Sequence, residues 1–482
     1  MTLFTVEELR EVIKATVLAG EGTAWTRRRI RRISLDTRSL RPGDLFLALQ
    51  GDRFDGHDFV ATALARGAVG AIVRDSFDIS GLAFKRRPRR AQPFVLSVSD
   101  PLSAYQQLAA YHRSRFHIPV VAVTGSNGKT TTKEMVAGVL SHRRKILKTE
   151  GNLNNRVGVP QTLLRLNDHH KGAVVEMGVD NLGQTAKLCE IARPTIGIIT
   201  NIGPDHLEFF GTMEASAQAK AELLDLLPHD GTAVLNADDS YYHYLAARAR
   251  CRVVSFGLST KADVRATDVK SDGRNGTIFR LLLPRTARHT VVHIRVQGEH
   301  NVANALAAGA VGSILGLSGG AIAQGLSRFR PAAMRSQVRV NQGVKLIIDC
   351  YNANPASMKA AVQLLAQTAT KRKKIAVLGD MLELGPNAPQ MHEEVGGFLA
   401  RQGIDHLVAC GVLGRNLATG AKQAGLDPSR VIEVPDARAA ASAVKTVVKP
   451  GDAVLIKASR GMKLELVADA LQKAKRTGKR AL

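Results

Sequence analysis

The feature of this sequence that most constrains its fold is a glycine-rich loop between an apolar strand and a helix. The apolar run Val120–Val123 leads into T-G-S-N-G-K-T-T-T at 124–132, and a helical pattern follows over Lys133–Leu140. Glycines let backbone N–H groups close around phosphate oxygens, and the helix N-terminus adds positive potential. We predict that seven loop residues bind the phosphates of a nucleotide: Gly125, Ser126, Asn127, Gly128, Lys129, Thr130 and Thr131.

Two side chains of this loop indicate which kind of nucleotide is bound. Lys129 is placed to reach the β- and γ-phosphates, and the Thr130 hydroxyl is placed to ligate magnesium. The spacing is G-x-x-G-K-T, because Val123 stands where the longer G-x-x-x-x-G-K-[ST] motif has its first glycine. A tight turn with a chance lysine is the alternative interpretation, and the strand before and helix after the loop disfavour it. The loop therefore predicts a nucleoside triphosphate bound with Mg²⁺.

Strand-like runs alternate with helical patterns along the chain, which is typical of α/β domains with parallel sheets. After the loop these runs lie at Gly172–Glu176, Thr195–Thr200 and Thr232–Leu235. Towards the end of the chain they lie at Lys345–Asp349, Lys374–Leu378, His406–Ala409 and Ala453–Lys457. A helix over Leu102–Phe116 would link the first region to the second. We expect three consecutive α/β domains, at residues 1–98, 99–331 and 332–482.

The net charge of +25 favours an anionic partner, which could be a nucleic acid, a phosphorylated substrate or a membrane surface. Aromatic residues make up only 4% of the chain, so platforms that stack single-stranded bases are disfavoured. We interpret most of the excess as solvated surface charge and expect no nucleic-acid partner, with steering of an anionic substrate as the functional alternative. The excess is concentrated in four runs: Arg27–Arg32, Lys85–Arg90, Lys371–Lys374 and Lys473–Arg480.

Other features of the sequence favour a cytoplasmic protein. No apolar run approaches the ~18 residues that span a bilayer, so we expect no membrane insertion. The first residues lack the basic and apolar regions of a signal peptide. The cysteines are far apart and no pair has C-x-x-C spacing, so neither a zinc site nor a disulfide framework is indicated. These cysteines are Cys189, Cys251, Cys350 and Cys410.

The loop at 124–132 is similar to that of the Mur ligase family and the related folylpolyglutamate synthases. Further resemblances to the Mur ligases that add D-alanyl-D-alanine follow in order: G-N-L-N-N-R-V-G-V-P at 151–160, E-M-G at 176–178, N-I-G-P-D-H-L-E at 201–208, A-K-A-E at 219–222, G-E-H-N-V-A-N-A at 298–305 and D-C-Y-N-A-N-P at 349–355. Cys350 stands where serine is common. D-T-R at 36–38, P-G-D-L-F at 42–46 and F-D-G-H-D-F at 54–59 resemble a UDP-sugar-binding domain, which the synthases lack.

This resemblance implies a fold, a reaction and a set of partners. The expected fold is an N-terminal UDP-sugar-binding α/β domain, a central ATPase domain with a parallel sheet, and a C-terminal Rossmann-like α/β domain. The expected reaction transfers the γ-phosphoryl group of ATP to the terminal carboxylate of a UDP-muramoyl tripeptide. The amine of D-alanyl-D-alanine then attacks the acyl phosphate. The partners would be these small molecules, ATP and Mg²⁺, and the protein would be a monomer.

The resemblance also implies roles for individual residues. Lys129 and Arg335 would contact the transferred phosphoryl group, although Met334 and Ser336 depart from the family's usual neighbours of this arginine. The expected metal ligands are Thr130, Glu176, His206 and a carbamoylated Lys220. The other expected nucleotide contacts are Asn301, Asn304 and Asp349. The expected substrate contacts are Arg38, His57, Asn152, Asn155, Asn352 and Asn354.

Each of these roles has a structural alternative. Lys220 could be a solvated helix lysine, Asn301 and Asn304 could pack or cap a helix, and Asp349 could cap the helix after it. Asn352 and Asn354 could be turn residues.

Three other functions stay open. A Mur ligase that adds a single amino acid is disfavoured, because its usual D-N-P-R motif is absent. A basic P-loop ATPase that binds nucleic acid would belong to a different class of protein, and no recognised nucleic-acid-binding motif is visible. A catalytically weak scaffold is disfavoured by the intact Lys129, Glu176, His206 and Lys220.

Overall fold

The computed structural model describes residues 3–20, 26–82, 92–142, 144–272, 276–284 and 289–473. The basic run Lys85–Arg90, and all but the first residue of Lys473–Arg480, lie outside the described residues. The chain forms two compact units, which are described separately. The first unit comprises Met1–Ala122, Lys145–Met177 and Ala186–Pro194, and the second comprises Val123–Arg144, Gly178–Thr185 and Thr195–Leu482.

The first unit contains a five-stranded sheet near the start of the chain. Its spatial order is Thr16–Ala19, Phe94–Val98, Gly70–Arg74, Leu45–Leu47 and Ile33–Ser34. All neighbouring strands are parallel except the first pair. Every residue of Leu45–Leu47 is buried, as expected for a strand that is covered on both faces. A separate antiparallel pair joins Phe4–Thr5 to Arg29–Ile30, and Lys145–Lys148 pairs in parallel with His170–Glu176.

The helices of the first unit begin at side chains that cap their free N–H groups. Thr5 and Glu8 form a reciprocal capping box at the start of Val6–Ile13. Asp100 accepts a 2.9 Å hydrogen bond from the N–H of Leu102 and begins the helix Pro101–Ser114, which confirms the helix predicted there. The remaining helical elements of this unit are the 3-10 turn Gly56–Phe59 and the helices Val60–Ala65 and Gly158–Leu163.

The second unit contains a six-strand run that begins with two strands predicted from the sequence. In spatial order the strands are Ile196–Ile199, Thr232–Asn236, Arg252–Gly257, Val264–Ser271, Thr277–Leu282 and Thr290–Ile294. The first four strands are parallel to one another. Thr277–Leu282 and Thr290–Ile294 each run antiparallel to the strand before them, and these two strands were not predicted from the sequence. The helices of this part are Lys129–Leu140, Leu207–Phe210, Met213–Asp225, Tyr242–Arg248, Glu299–Ile314 and Gly319–Ser327. The strand Val120–Thr124 and the helix Gln184–Ala192 continue from one unit into the other.

The second unit also contains a six-stranded sheet formed by the last third of the chain. Its spatial order is Gln337–Asn341, Val344–Ile348, Ala453–Lys457, Lys374–Gly379, His406–Cys410 and Val431–Val434, with only the first pair antiparallel. All four strands predicted in this region are confirmed. Its helices are Pro355–Gln367, Ala388–Arg401, Gly414–Gln423, Ala437–Val447 and Glu465–Lys473, with 3-10 turns at Gly385–Asn387, Pro428–Arg430 and Arg460–Met462.

Helices cover both faces of this last sheet, because successive strand residues point to opposite sides. Leu455 packs into one buried cluster with Leu365 and Leu399, and its neighbour Ile456 packs into a second cluster with Val444. Such two-sided burial explains the continuous apolar runs that the sequence showed. Among the described residues, no helix has the length and hydropathy needed to span a bilayer. All four cysteines are free thiols.

Candidate active site

The glycines of the loop are required both by backbone conformation and by close neighbours. Gly125 has φ 133° and Gly128 has φ 81°, values that side chains with a Cβ rarely adopt. A Cβ added at Gly125 would lie 2.1 Å from the Thr200 hydroxyl oxygen, and one added at Gly128 would lie 2.4 Å from Oδ1 of Asn304. The sequence therefore folds into this tight strand–loop–helix turn because only glycine fits at these two positions.

The residues that follow the strand Ile196–Ile199 hold the loop in shape. The backbone N–H of Ser126 donates to the carbonyl of Asn201, and the N–H of Asn127 donates to Oδ1 of Asn201, both at 2.9 Å. The Thr200 hydroxyl donates to the carbonyl of Asn127 at 2.5 Å. The Lys129 ammonium folds back over the loop and donates to the Gly125 carbonyl at 2.5 Å. The loop is thus preorganised, with its lysine at the position where phosphate would bind.

A buried cluster connects the loop to Lys220. The Ser126 hydroxyl donates to Oδ1 of Asp205 at 2.6 Å, and the Lys220 ammonium lies 3.1 Å from the same oxygen. Lys220 also donates to the Ser216 hydroxyl at 2.7 Å and lies 4.8 Å from the centroid of the Phe210 ring. Only 1% of the Lys220 side chain is exposed, so the alternative of a solvated helix lysine is wrong.

Burial and charge set the protonation of this cluster. Burial lowers the pKa of Lys220, although the charge of Asp205 opposes the shift. Burial raises the pKa of Asp205, but the charges of Lys220 and Lys129 outweigh it and the net pKa is lowered. Asp205 is therefore ionised, while its Oδ2 atom is buried and has no hydrogen-bond partner in the described part of the chain. Asp205 was not predicted from the sequence, and its position next to His206 was the available signal.

His206 is held by Glu383, which was also not predicted from the sequence. Its Nδ1 lies 2.6 Å from Oε2 of Glu383, and the N–H of Glu208 donates to the Glu383 carbonyl at 3.1 Å. Both His206 and Glu383 adopt left-handed backbone conformations, with φ 51° and 65°. A carboxylate on one ring nitrogen of a histidine commonly orients the other nitrogen towards a metal. The contact therefore fits the metal-ligand role predicted for His206.

Asn301 and Asn304 lie on one face of the helix Glu299–Ile314, as their spacing predicts. Nδ2 of Asn304 donates to Oδ1 of Asn301 at 3.4 Å, and Nδ2 of Asn301 donates to the Gln297 carbonyl at 2.7 Å. Oδ1 of Asn304 accepts a 3.1 Å hydrogen bond from the Thr132 hydroxyl, at the start of the helix after the loop. Asn304 therefore supports the loop directly. The nucleotide contacts predicted for both asparagines stay predictions.

Asp349 lies at the end of the strand Val344–Ile348 and is paired with a buried lysine. Its Oδ2 is 2.6 Å from the Lys457 ammonium, which also donates to the Asn352 carbonyl at 3.1 Å. Asp349 does not cap the following helix. Asn354 caps it instead, in a capping box with Ser357. Lys457 precedes the S-R-G segment at 459–461 and was not among the selected residues.

Asn354 contacts the loop, whereas the side chain of Arg335 packs on Tyr351. The Asn354 side-chain amide donates to Oδ1 of Asn127 at 2.9 Å, so a residue from the last third of the chain contacts the loop directly. Arg335 follows the helix Gly319–Ser327 in the chain. Its guanidinium carbon lies 4.1 Å from the centroid of the Tyr351 ring. Asn352 is exposed and contacts its surroundings through its carbonyl.

In the first unit, Glu176 lies at the C-terminal end of the strand His170–Glu176. Only 2% of this residue is exposed, and its Oε1 accepts a 2.9 Å hydrogen bond from Asn154. Asn154 was not among the site residues predicted from the sequence. Its neighbours Asn152 and Asn155, which were predicted, have different surroundings. Asn155 accepts hydrogen bonds from the N–H groups of Val157 and Gly158 at 3.1 and 2.9 Å, and Asn152 is exposed.

The two predicted UDP-sugar contacts differ in accessibility. The Arg38 side chain is 88% exposed and is paired with Asp36 at 2.7 Å. His57 is buried and both its ring nitrogens are engaged: Nδ1 lies 2.5 Å from Asp55, and Nε2 accepts from the N–H of Arg74 at 3.0 Å. Arg38 is therefore accessible to a ligand, whereas His57 supports the strand end at Arg74.

Comparison with known protein families covers most of the chain in three consecutive segments. Residues 29–113 match the Mur ligase family catalytic domain, and residues 123–312 match the Mur ligase middle domain. Residues 334–460 match the Mur ligase glutamate ligase domain. This order agrees with the three α/β regions expected from the sequence.

Individual relatives match over nearly their full length. The UDP-N-acetylmuramoyl-tripeptide–D-alanyl-D-alanine ligase of Synechocystis sp. is 40% identical over 92% of this chain and 92% of its own. The crystal structure of MurF from Acinetobacter baumannii has a TM-score of 0.86 at 34% identity, covering 98% and 99% of the two chains. MurF from Thermotoga maritima, solved with ADP, has a TM-score of 0.80 at 30% identity, covering 92% and 97%. These likenesses confirm the predicted α/β architecture.

Proposed function

This chain belongs to the Mur ligase family, and we propose that it joins D-alanyl-D-alanine to UDP-N-acetylmuramoyl-tripeptide at the expense of ATP. The observation that carries the proposal is the near-full-length similarity to ligases of that name, at 40% identity for the Synechocystis enzyme. The preorganised loop around Lys129 supports ATP as the phosphoryl donor. The product would be a precursor of peptidoglycan.

The proposed reaction has two steps. An oxygen of the tripeptide's terminal carboxylate attacks the γ-phosphorus of ATP, and ADP leaves with the electrons of the broken P–O bond. The amine of D-alanyl-D-alanine then attacks the acyl carbon, and inorganic phosphate leaves as the amide forms. Most catalysis of phosphoryl transfer comes from positioning and charge neutralisation, because two anions must approach each other. Lys129, held over the loop, and Arg335 are the cations that we assign to this task.

The donor atoms of the site fit a divalent cation such as Mg²⁺. Asp205 offers a buried oxygen that has no partner within the described ranges, next to His206 and Lys220. Hard cations of this kind prefer oxygen ligands. When bound, Mg²⁺ would neutralise charge on the phosphates. We propose that Thr130 and Glu176 would hold one Mg²⁺ and that His206 would help hold a second, with a carbamoylated Lys220 as a further metal ligand.

The remaining assignments extend the proposal to the whole chain. We assign UDP-sugar binding to residues 1–98, ATP binding to 99–331 and amine-substrate binding to 332–482. Exposed Arg38 supports an anion contact in the first of these segments. We further infer a monomeric enzyme that acts in the cytoplasm on small-molecule substrates, and the four free cysteines support a reducing compartment.

The experiment that tests this function measures both product and ADP. The purified chain is incubated with ATP, Mg²⁺, UDP-muramoyl tripeptide and either D-alanyl-D-alanine or single amino acids, and the product is identified by mass spectrometry. We expect ligation with the dipeptide and none with single amino acids. Lys129→Ala is the control, because loss of the loop cation removes ligation. Product formation only with single amino acids would overturn the proposal in favour of a sister Mur ligase.

A further inference from the structure

Arg335 is held on an aromatic face and has no anionic partner among the described residues. Its guanidinium carbon lies 4.1 Å from the centroid of the Tyr351 ring, within the range at which the electron-rich face of an aromatic ring attracts a cation. The structure contains no ion pair between Arg335 and any described carboxylate. An arginine in this arrangement keeps its hydrogen-bond donors available for a ligand.

The backbone on both sides of Arg335 is strained and fixed. Met334 has φ 60° and Ser336 has φ 46°, so two residues with side chains adopt the left-handed conformation around a single arginine. The N–H of Tyr351 donates to the Met334 carbonyl at 3.2 Å, and the N–H of Ser336 donates to Oδ1 of Asp349 at 2.9 Å. Strain of this kind persists only where the surroundings enforce it, and it is concentrated at functional sites.

The nearby carboxylate is already neutralised. Asp349 is the sole carboxylate in the segment D-C-Y-N-A-N-P, and its Oδ2 lies 2.6 Å from the Lys457 ammonium. Its Oδ1 is occupied by the N–H of Ser336. The same segment therefore fixes the backbone of Arg335 through Asp349 and its side chain through Tyr351, and it does not neutralise the guanidinium.

We propose that Tyr351 is a positioning residue that holds the Arg335 guanidinium ready for the transferred phosphoryl group. This inference rests on the proposed function, in which Arg335 contacts that group. A long arginine side chain loses rotamer freedom when it meets a ligand, and a ring that restricts it beforehand reduces this loss at the transition state. An interaction that is strongest in the transition state raises kcat, with little effect on KM.

The test compares substitutions at Tyr351 in the full-length enzyme. Tyr351→Leu removes the aromatic face, and we expect kcat to fall about tenfold while the KM for ATP changes less than about twofold. Tyr351→Phe keeps the face and is expected to stay within about twofold of the original kcat. In an Arg335→Ala background, Tyr351→Leu should cause no further loss, because the residue acts only through the arginine.

A second arginine–tyrosine contact provides the matched control. The Arg115 guanidinium carbon lies 5.5 Å from the Tyr111 ring in the helix Pro101–Ser114 of the first unit. Tyr111→Leu removes the same kind of contact at a place to which we assign no catalytic role, and we expect it to leave kcat unchanged. Thermal unfolding of each variant reports whether it is folded. If Tyr351→Leu does not fold, Tyr351→Met replaces it.

Three results would overturn the positioning role: equal kcat values for Tyr351→Leu and the original enzyme, equal losses for Tyr351→Phe and Tyr351→Leu, or additive losses in the double variant. Failure of the proposed function would look different. The unsubstituted enzyme would then form no product with D-alanyl-D-alanine, and the coupling of Arg335 to Tyr351 would be measured with the amine that does support ADP release.

Discussion

Asp205–Lys220 and Asp349–Lys457 are ion pairs of the second unit, the first buried and the second largely buried, and each lies next to a residue predicted to act in the site. In both pairs the lysine is nearly inaccessible, with 1% and 2% of its side chain exposed. The separations are also similar, at 3.1 and 2.6 Å. The two pairs nevertheless differ in how completely their carboxylate oxygens are satisfied.

Both oxygens of Asp349 have partners, because Oδ1 accepts from the N–H of Ser336 and Oδ2 from Lys457. Asp205 concentrates its hydrogen bonds on Oδ1, and no described residue bonds to its buried Oδ2. A buried polar atom without a partner costs free energy, so its persistence indicates a function. Asp349–Lys457 therefore has the features of an ion pair that stabilises the fold. Asp205–Lys220 has the features of a binding site in which a ligand supplies the missing partner of Oδ2.

The strongest test of this comparison removes both charges of the Asp205–Lys220 pair. Asp205→Asn combined with Lys220→Met should lower the ligation rate by at least about a thousandfold, since the cluster next to the loop loses its anionic oxygens and its lysine. Its free energy of unfolding should change by less than ~2 kcal/mol, because replacing a whole buried pair is often neutral. Ligation assays and urea unfolding measure the two quantities. Near-normal ligation would contradict the functional assignment.

The second test removes one partner of the Asp349–Lys457 ion pair. Lys457→Met leaves the Asp349 carboxylate largely buried without its cation, and we expect the free energy of unfolding to fall by about 3 kcal/mol. Asp349→Asn in the same chain should restore most of this loss, because the uncompensated charge is gone. Urea unfolding of the single and double variants provides the measurement. Unchanged stability of the single variant would show that Lys457 is not a structural partner.

The third test removes the connection between the loop and Asp205. Ser126→Ala deletes the hydroxyl that donates to Oδ1 at 2.6 Å, a hydrogen bond to a charged group. Such a bond contributes about 1.5–3 kcal/mol, so ligation should slow about tenfold. Ser255→Ala is a suitable control, because it removes a hydroxyl that donates to Oδ2 of Asp263 at 2.7 Å and leaves Asp205 untouched. Equal rates for the two variants would break the proposed connection.

The fourth and smallest effect concerns pH. A lowered pKa leaves more of Lys220 as the neutral amine, the form that reacts with carbon dioxide, so raising the pH above neutral should increase carbamoylation. With isotope-labelled bicarbonate, the carbamate NMR signal should grow as pH rises. The signal should vanish in Lys220→Met and persist in Lys457→Met. A signal that persists without Lys220 would assign the modification elsewhere.

Parts of the fold and site that depend on local pattern were predictable. The loop at Gly125–Thr131, the strand that ends at Glu176 and the four strands of the last sheet follow from neighbouring residues, because apolar runs and glycine conformations are local properties. The antiparallel strands Thr277–Leu282 and Thr290–Ile294 were not predicted. Their pairing at the sheet edge depends on neighbours rather than on their own pattern.

The partners within the site could not be predicted in the same way. Asp205, Glu383 and Tyr351 were not selected from the sequence, although Asp205 adjoins His206 and Tyr351 lies in the segment 349–355. Each of the three contacts a residue that was selected. Asn304 was expected to contact nucleotide, and the structure places it against the loop, through Thr132. These relationships join segments far apart in the chain.

The sequence by itself determined where phosphate could bind, because a strand, a glycine turn and a helix N-terminus are encoded within 124–132. It also placed a lysine at 220 and an aspartate at 349. Only the tertiary structure decided which charges share a pair, across 15 residues for Lys220 and 108 for Lys457. The physical reason is that the free energy of a buried charge depends on the atoms packed around it, and folding brings those atoms from distant segments.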